Sequence, residues 1–311
     1  MITIANIGEI KSDAGLVIGN FDGVHLGHQS LLAEVVASCQ KSKLATVLVT
    51  FWPHPKLVLT PKRDFLINSP EEKRELLSAL GIDYLMEIEF TRDFSDLLPE
   101  KFLDQYIFPP GNNFSVKKLF IGHDFTFGKN KGGDHAFVEN YCSLKKIAIE
   151  IEAEFAKEGV AISSSVIRHY LKAGNIEMAN QLLGRLFLLA GRVIKGDGRG
   201  RMLGFPTANI QISTERLIPP FGVYVTQTKA GASKIYNSIT NIGTNPTFKA
   251  GNIINVETNI FDFDKDLYGE EISVAFIKRL RSEKKFPSAN DLIYQITADV
   301  SAARNHFKTN I

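Results

Sequence analysis

Residues Leu16-Val17-Ile18-Gly19-Asn20-Phe21-Asp22-Gly23-Val24-His25-Leu26-Gly27-His28 join an apolar run to an amphipathic one. They read as a strand, a tight turn and a helix starting near His28. Glycines allow positive φ and close backbone approach, and a helix N-terminus offers unsatisfied N–H groups and the positive end of its dipole. His25 and His28, three apart, face the same spot. One glycine turn with one histidine is commonly a plain strand-to-helix connection. Two histidines and three glycines gathered at a helix start favour a nucleotide-phosphate site.

Working outward, short apolar runs alternate with helical patterns as far as about Leu183, the pattern of parallel strands with crossover helices. The first strand covers 16–19, and the helix after it places Leu31, Leu32, Val35, Val36 and Cys39 on one face. The next strand, 45–51, is apolar and β-branched throughout, as a strand buried on both sides must be. Ser69-Pro70-Glu71-Glu72 forms a capping box with proline at the first helical position, opening a helix that carries Leu76, Leu77 and Leu80. Strands follow at 84–88 and 119–121, a helical stretch at 97–108, and a helix pair at 164–171 and 176–183. The expected fold is a doubly wound, Rossmann-like α/β domain with the glycine turn at its first strand end.

After Arg185 the helical pattern gives way to short strands punctuated by Gly, Pro and Asn, at 190–194, 207–212, 222–228, 234–242, 253–261 and 272–277. Val223, Val225, Ile235 and Ile239 alternate with polar neighbours, so one face of these strands is buried. Six antiparallel strands predict a small β-barrel, because closure removes exposed edges. Ser288 and Asp291 cap a last helix whose stripe Leu292, Ile296, Val300, Ala303 and Phe307 packs on that barrel. The expected domains are 1–184 and 185–311, in keeping with the two that 311 residues suggest.

Composition excludes several functions. With 36 basic and 34 acidic residues the net charge is +2, so no bulk field exists to hold nucleic acid or an anionic membrane. Cys39 and Cys142 lie far apart without a CxxC, which argues against zinc and a disulfide framework. The N-terminus lacks a secretory pattern and no apolar run is long enough to span a bilayer, so a cytoplasmic protein is expected.

Three further segments of the first half carry chemistry. The loop Thr50-Phe51-Trp52-Pro53-His54-Pro55 offers flat rings stiffened by two prolines, and Gly122-His123-Asp124-Phe125-Thr126-Phe127-Gly128 adds two more aromatics. Both follow strand ends, which favours a ring-binding cleft over ordinary packing. Ile162-Ser163-Ser164-Ser165-Val166-Ile167-Arg168 opens a helix with hydroxyls and an arginine, a second anion grip on the same nucleotide. In the second half, a basic loop containing Gly196, Gly198, Arg199, Gly200, Arg201 and Gly204 runs into Phe205-Pro206-Thr207-Ala208-Asn209. Thr207 and Asn209, two apart on a strand, project from one face, and two neutral oxygens suit a magnesium ion completed by phosphates and water.

In matching order along the chain, the GNFDGVHLGH turn, the TFWPHP loop, the DFTFG segment, the ISSSVIR helix start and the barrel motifs resemble the bacterial bifunctional riboflavin kinase/FMN adenylyltransferases, or FAD synthetases. The resemblance implies two ATP-dependent reactions with Mg2+: riboflavin to FMN in the barrel, then FMN to FAD in the first domain. ATP would lie on Gly19, Asn20, Phe21, Asp22, Gly23, His25, Gly27 and His28, with Ser163, Ser164 and Arg168 on its phosphates. FMN would sit near His54, Pro55, Asp124 and Phe125, and His25 and His28 would stabilise the transferring phosphate. In the kinase half, Gly196, Gly198, Arg199, Gly200, Gly204, Pro206 and Arg281 would hold ATP and flavin, Thr207 and Asn209 the metal, and Glu257 would be the base. Glu257 stands on the face of its strand opposite Val256 and Thr258. The implied partners are small molecules, with no nucleic acid and no membrane, and the chain acts as a monomer or transient homo-oligomer. Two rivals are a class I aminoacyl-tRNA synthetase, suggested by His25-Leu26-Gly27-His28, and a catalytically dead flavin-binding or regulatory protein. Against the first, residues 162–168 stand where a lysine-rich signature belongs; against the second, His25, His28, Thr207, Asn209 and Glu257 are all present.

Overall fold

In the computed structural model every residue of Ala14–Ile18 is buried, because this strand lies in the middle of a six-stranded parallel sheet. The structure describes residues 1–111, 115–152, 155–157, 160–196, 198–231, 234–244 and 254–309. They form two units, Met1–Ser164 and Ser165–Ile311.

The first unit contains strands β1 (Ile2–Ile4), β2 (Ala14–Ile18), β3 (Ala45–Trp52), β4 (Tyr84–Glu89), β5 (Val116–Gly122) and β6 (Ala148–Glu152), in the order β1-β4-β3-β2-β5-β6. Its helices are α1 (Leu26–Lys41), α2 (Pro55–Leu59), α3 (Pro70–Ser78), α4 (Arg92–Ser95), α5 (Pro99–Phe102) and α6 (His135–Lys145). A two-stranded ribbon, β7 (Ala156–Lys157) with β8 (Val160–Ala161), follows. Successive strand residues feed opposite faces, as the period of two requires. Val17, Leu48, Leu85 and Phe120 pack under α1 and α3 with Leu32, Val35, Cys39 and Leu77. Leu16, Ile18, Val49, Met86 and Ile121 pack on the other side with Val138, Tyr141 and Cys142 of α6. The doubly wound expectation is met. Ser69 caps α3 as read, its hydroxyl accepting the Glu72 N–H at 3.2 Å while Glu72 accepts the Ser69 N–H at 3.1 Å.

Several details differ from the sequence reading. Strands β1 and β6, helices α2, α4 and α6 and the β7–β8 ribbon have no counterpart in it. The helical stretch at 97–108 is α5 continued by a single π-helical turn, Leu103–Ile107. Helix α1 starts at Leu26 rather than near His28, for a reason given below.

The second unit begins one residue into α7 (Ser164–Ala173), which α8 (Ile176–Leu183) follows. Strands β9 (Phe187–Ile194), β10 (Ala208–Gln211), β11 (Gly222–Ala230), β12 (Lys234–Thr244), β13 (Ile254–Ile260) and β14 (Glu271–Ser282) close a barrel in the order β10-β13-β12-β11-β14-β9. All six pairings are antiparallel. Ile253, expected at the start of one strand, lies outside the described residues. A short helix α9 (Arg199–Met202) follows β9, and α10 (Ala289–Thr309) ends the unit. Asn180 on α8 joins the helix pair to the barrel, donating to the Phe276 carbonyl at 2.9 Å and accepting the Phe187 N–H at 2.7 Å.

The barrel bears out the buried face at Val223, Val225 and Ile239 and corrects it at Ile235. Val223, Val225 and Ile239 are buried, but they pack outward against Ala303, Val300 and Phe307 of α10. Ile235, assigned to the same face, is 61% exposed. The inner wall carries Tyr224, Thr226, Thr228, Ser238, Thr240 and Thr258, all fully buried. Their hydroxyls satisfy one another: Thr226 meets Ser238 and Thr240 at 2.8 Å, and Thr240 donates to Thr258 at 3.0 Å. Paired in this way, buried hydroxyls avoid the desolvation cost that bare ones incur.

Candidate functional site

Strand β2 lies between β3 and β5, where the strand order changes direction, and the glycine turn leaves its carboxyl end there. The turn requires left-handed backbone at Phe21 (φ 51°), Gly23 (φ 88°) and Val24 (φ 37°). At Gly23 a Cβ would also stand 3.1 Å from Ile67. Asp22, buried, ties the turn to the segment ahead of α3, its carboxylate accepting the Ile67 N–H at 3.1 Å. Ser164 donates its hydroxyl proton to the Asp22 carbonyl at 2.8 Å.

The helix starts early because His25 is its N-cap. His25 Nδ1 accepts the His28 N–H at 3.2 Å, which leaves Nε2 to carry the proton of a neutral ring. The two imidazoles stack with centroids 3.6 Å apart, and Phe21 stands edge-on to His28 at 5.2 Å. His25 is buried and His28 only partly so. His28 therefore presents itself while His25 fixes the helix end and supports the neighbouring ring. A Cβ on Gly27 would stand 3.3 Å from the His25 ring and 3.4 Å from the Ile162 carbonyl, and one on Gly19 would stand 2.9 Å from the Phe21 ring. The structure thus gathers residues 19–28 and Ser164 at one place, with Ser163 next to it in the chain. Arg168 is buried on α7 and belongs to the second unit.

The two aromatic loops leave β3 and β5, the neighbours of β2. Phe51 is buried in the core and Trp52 packs on Leu57, Phe65 and Leu66, so these rings serve the protein rather than an open surface. His54 caps α2, its Nδ1 accepting the Lys56 N–H at 3.1 Å, and its ring meets Phe65 edge-on at 4.9 Å. Pro55 is the first residue of that helix. After β5, the Phe125 N–H closes a turn on the Gly122 carbonyl at 3.0 Å. Phe125 is half-buried and stacks on Phe127 at 5.6 Å, leaving Asp124 exposed beside it.

In the second unit a cavity of about 460 Å³ lies outside the barrel wall, under α10 and the α9 loop. Gly198, Gly200, Thr207, Asn209, Glu257 and Arg281 all line it, so the structure assembles most of the residues expected there. Asn209 is opposite Glu257 across β10 and β13, and Asn241 is opposite Glu257 across β13 and β12. Glu257 faces the cavity while Val256 and Thr258 are fully buried on the other face, as the sequence implied. Pro206 lends its carbonyl to the Asn259 side-chain amide at 2.6 Å. Gly204 adopts φ 85° with open space around it. Arg199 opens α9, and its side chain, like Asp197, lies outside the described part.

Arg281 is committed more deeply than expected. Its guanidinium forms a bidentate pair with Asp299 of α10, Nε to Oδ1 at 3.0 Å and Nη2 to Oδ2 at 2.7 Å, and Gln295 donates to the same carboxylate at 2.9 Å. The pair joins β14 to α10, and α10 supplies the apolar cavity wall through Leu292, Ile296 and Val300. The sequence reading missed Asn241, Asn255, Asn259, Glu283 and Asp299. Asn255 donates to Glu257 Oε1 at 2.5 Å. Its place two residues before Glu257, on the same strand face, was a usable signal.

The donor set fits a hard cation. Thr207 and Asn209 offer neutral oxygens, and small neighbours leave a cradle around them. A Cβ on Gly196 would stand 2.3 Å from Asn209 Nδ2, and one on Gly200 would stand 3.1 Å from Thr207 Oγ1. Among the described residues no group of three or more His, Cys, Asp or Glu could enclose a metal, so an ion here would share its shell with phosphate and water.

Comparison with known proteins matches the FAD synthetase family over residues 8–166 and the riboflavin kinase family over residues 183–307. The bifunctional riboflavin kinase/FMN adenylyltransferase of Bacillus subtilis is 36% identical, covering 97% of this chain and 95% of the relative. That of Escherichia coli K12 is 35% identical over 94% and 92%. A crystal structure from Streptococcus pneumoniae, described as a macrolide-efflux protein, matches with a TM-score of 0.85 at 33% identity over 98% of each chain. Among the described residues no helix is long and apolar enough to cross a membrane.

Proposed function

The chain belongs to the family of bacterial bifunctional riboflavin kinase/FMN adenylyltransferases, and on that premise we propose which residues carry each reaction. The enzyme phosphorylates riboflavin to FMN and adenylylates FMN to FAD with release of pyrophosphate.

Phosphorylation belongs to the cavity of the second unit. Glu257 accepts the proton of the ribityl 5′-hydroxyl as that oxygen attacks the γ-phosphorus of ATP; the new O–P bond forms as the bond to ADP breaks. Asn255, donating to Glu257 Oε1, holds the carboxylate in place, and Asn209 stands opposite Glu257 across the strand pair. Thr207 and Asn209 would hold magnesium, which when bound would neutralise phosphate charge as it develops. Leu292, Ile296 and Val300 offer an apolar wall to the flavin ring. Gly196, Gly198, Gly200 and Gly204 let the loop come close to phosphates, and Arg281 shapes the wall through Asp299.

Adenylyl transfer belongs to the glycine turn of the first unit. The FMN phosphate attacks the α-phosphorus of ATP, and pyrophosphate leaves along the turn. His28 and the N–H groups at the start of α1 stabilise the charge, with His25 fixing His28. One such transition-state donor can contribute roughly 3–4 kcal/mol, against at most about 2 for the helix dipole. Asp124 and Phe125 border the flavin, and His54 and Pro55 shape its floor. Ser164 holds the Asp22 carbonyl and thereby the turn. The enzyme works in the cytoplasm on small molecules, as a monomer or transient homo-oligomer.

The observation that carries the reading is the pairing of Asn209 with Glu257 at one cavity that also holds Thr207. The test is to incubate the protein with riboflavin, ATP and Mg2+ and to separate the flavins over time. FMN rises first and FAD follows. Absence of both, from folded protein, contradicts the reading.

A further inference from the structure

Lys73 on α3 is 7% exposed, and neither reaction as described above uses it. Its ammonium donates to Thr50 Oγ1 at 3.1 Å and to the carbonyl of Asn20 at 3.4 Å. Thr50 in turn donates to the same Asn20 carbonyl at 3.2 Å. Burial pushes the lysine below its ordinary range, opposed by the carboxylates of Glu87 on β4 and Asp22 in the turn and assisted by Arg74 on its own helix. A buried ammonium is costly, and an apolar side chain would fill the same volume more cheaply. Its position behind the glycine turn therefore calls for a role.

The role follows from peptide geometry. In a planar trans peptide the carbonyl of one residue and the N–H of the next point in opposite directions. Lys73 and Thr50 hold the Asn20 carbonyl on their own side, so the Phe21 N–H is directed away from them. Phe21 is left-handed at φ 51°, an unfavourable state for a bulky residue, and Gly23 and Val24 continue with positive φ. The Val24 N–H closes the turn on the Phe21 carbonyl at 3.3 Å, and something must hold the first peptide of so strained a turn in place.

We propose that Lys73 is a positioning residue for adenylyl transfer, locking with Thr50 the Asn20–Phe21 peptide so that the Phe21 N–H is presented to the phosphates of ATP. The proposal rests on the reading of the turn as the ATP site. It also separates two uses of charge: the ammonium never touches the ligand, yet it stands one peptide behind it.

The test measures FMN-to-FAD conversion by Lys73→Met, Thr50→Val and Thr50→Ser, with riboflavin phosphorylation by the same proteins as the internal standard. Loss of one donor to a charged phosphate corresponds to a rise in KM for ATP on the order of tenfold. That rise is expected for Lys73→Met and, more weakly, for Thr50→Val. Thr50→Ser, which keeps the hydroxyl, restores the wild-type value, and KM for FMN and the rate of FMN formation stay unchanged. A purely structural lysine would instead lower the amount of active enzyme and leave KM for ATP alone, and that result overturns the proposal. If Lys73→Met does not fold, the two Thr50 variants decide by the same criterion. His28→Ala is measured alongside: if it leaves FAD formation intact, the reading of the turn fails. If it impairs FAD formation while KM for ATP is unmoved in Lys73→Met and Thr50→Val, the positioning role alone fails.

Discussion

Asn209 and Gly196 are in such close contact that the glycine has no room for a methyl group: a Cβ there would stand 2.3 Å from Asn209 Nδ2 and 2.8 Å from its Oδ1. Gly196 therefore serves the second unit by what it lacks, leaving space for the amide that we assign to magnesium.

Gly196→Ala should push the Asn209 side chain out of place and lower kcat/KM for riboflavin phosphorylation by about tenfold or more, the effect of a misplaced group at a reacting centre. FMN-to-FAD conversion by the same protein should be unchanged. Titration with Mg2+ should show a higher requirement in the variant for the first step alone.

Asp299 and Arg281 join α10 to the barrel with side-chain exposures of only 8% and 15%. Removing one member of so enclosed a pair leaves a buried charge, which typically costs about 3–5 kcal/mol. Asp299→Leu should lower the melting temperature of the second unit and raise KM for riboflavin, because α10 carries the apolar cavity wall. The double variant Arg281→Met/Asp299→Leu should recover much of the stability, since no unpaired charge remains.

Tyr224 is fully buried inside the barrel with its hydroxyl on the Pro220 carbonyl. Burial pushes its phenol up to about 12, opposed by Arg279. An unfolded tyrosine titrates near 10, so folding favours the neutral phenol. Stability from this group is whole below about pH 10 and is lost as pH rises towards 12, on the order of 2–3 kcal/mol in all. Urea unfolding of wild type and Tyr224→Phe between pH 9 and about 12 checks this: the alkaline loss should be smaller in the variant.

The fold was legible wherever a local rule operates. Glycine spacing at 19, 23 and 27 marked the turn, the Ser69 box marked α3, and Gly, Pro and Asn marked the six barrel strands. What escaped depends on long-range closure. Thr226, Thr228, Thr240 and Thr258 look like outward residues, yet they line the barrel interior because each finds another hydroxyl. That leaves Val223 and Ile239, buried as the alternation implies, to serve the barrel–helix contact. β1 has three residues, too few for a periodicity, and β6 alternates apolar with acidic residues as an edge strand does.

The sites divide in the same way. Alternation singles out Thr207 and Asn209 by placing them on one strand face, whereas Glu257 is named only by the family resemblance. Asp299 could not be found, since only the packing of α10 brings it to Arg281. Nor did the sequence distinguish His25 from His28; the difference comes from a cap in which Nδ1 of one ring takes the N–H of the other residue.

The central claim, two separate reactions on two sites, is tested most directly by complementation. Glu257→Gln should convert supplied FMN to FAD but make no FMN, whereas His28→Ala should stop at FMN. Neither variant alone then makes FAD from riboflavin, ATP and Mg2+. Mixed in one vessel, the two should make it, as FMN released by one protein is adenylylated by the other. If both variants are folded and the mixture yields no FAD, or if each alone loses both steps equally, the two-site assignment is contradicted.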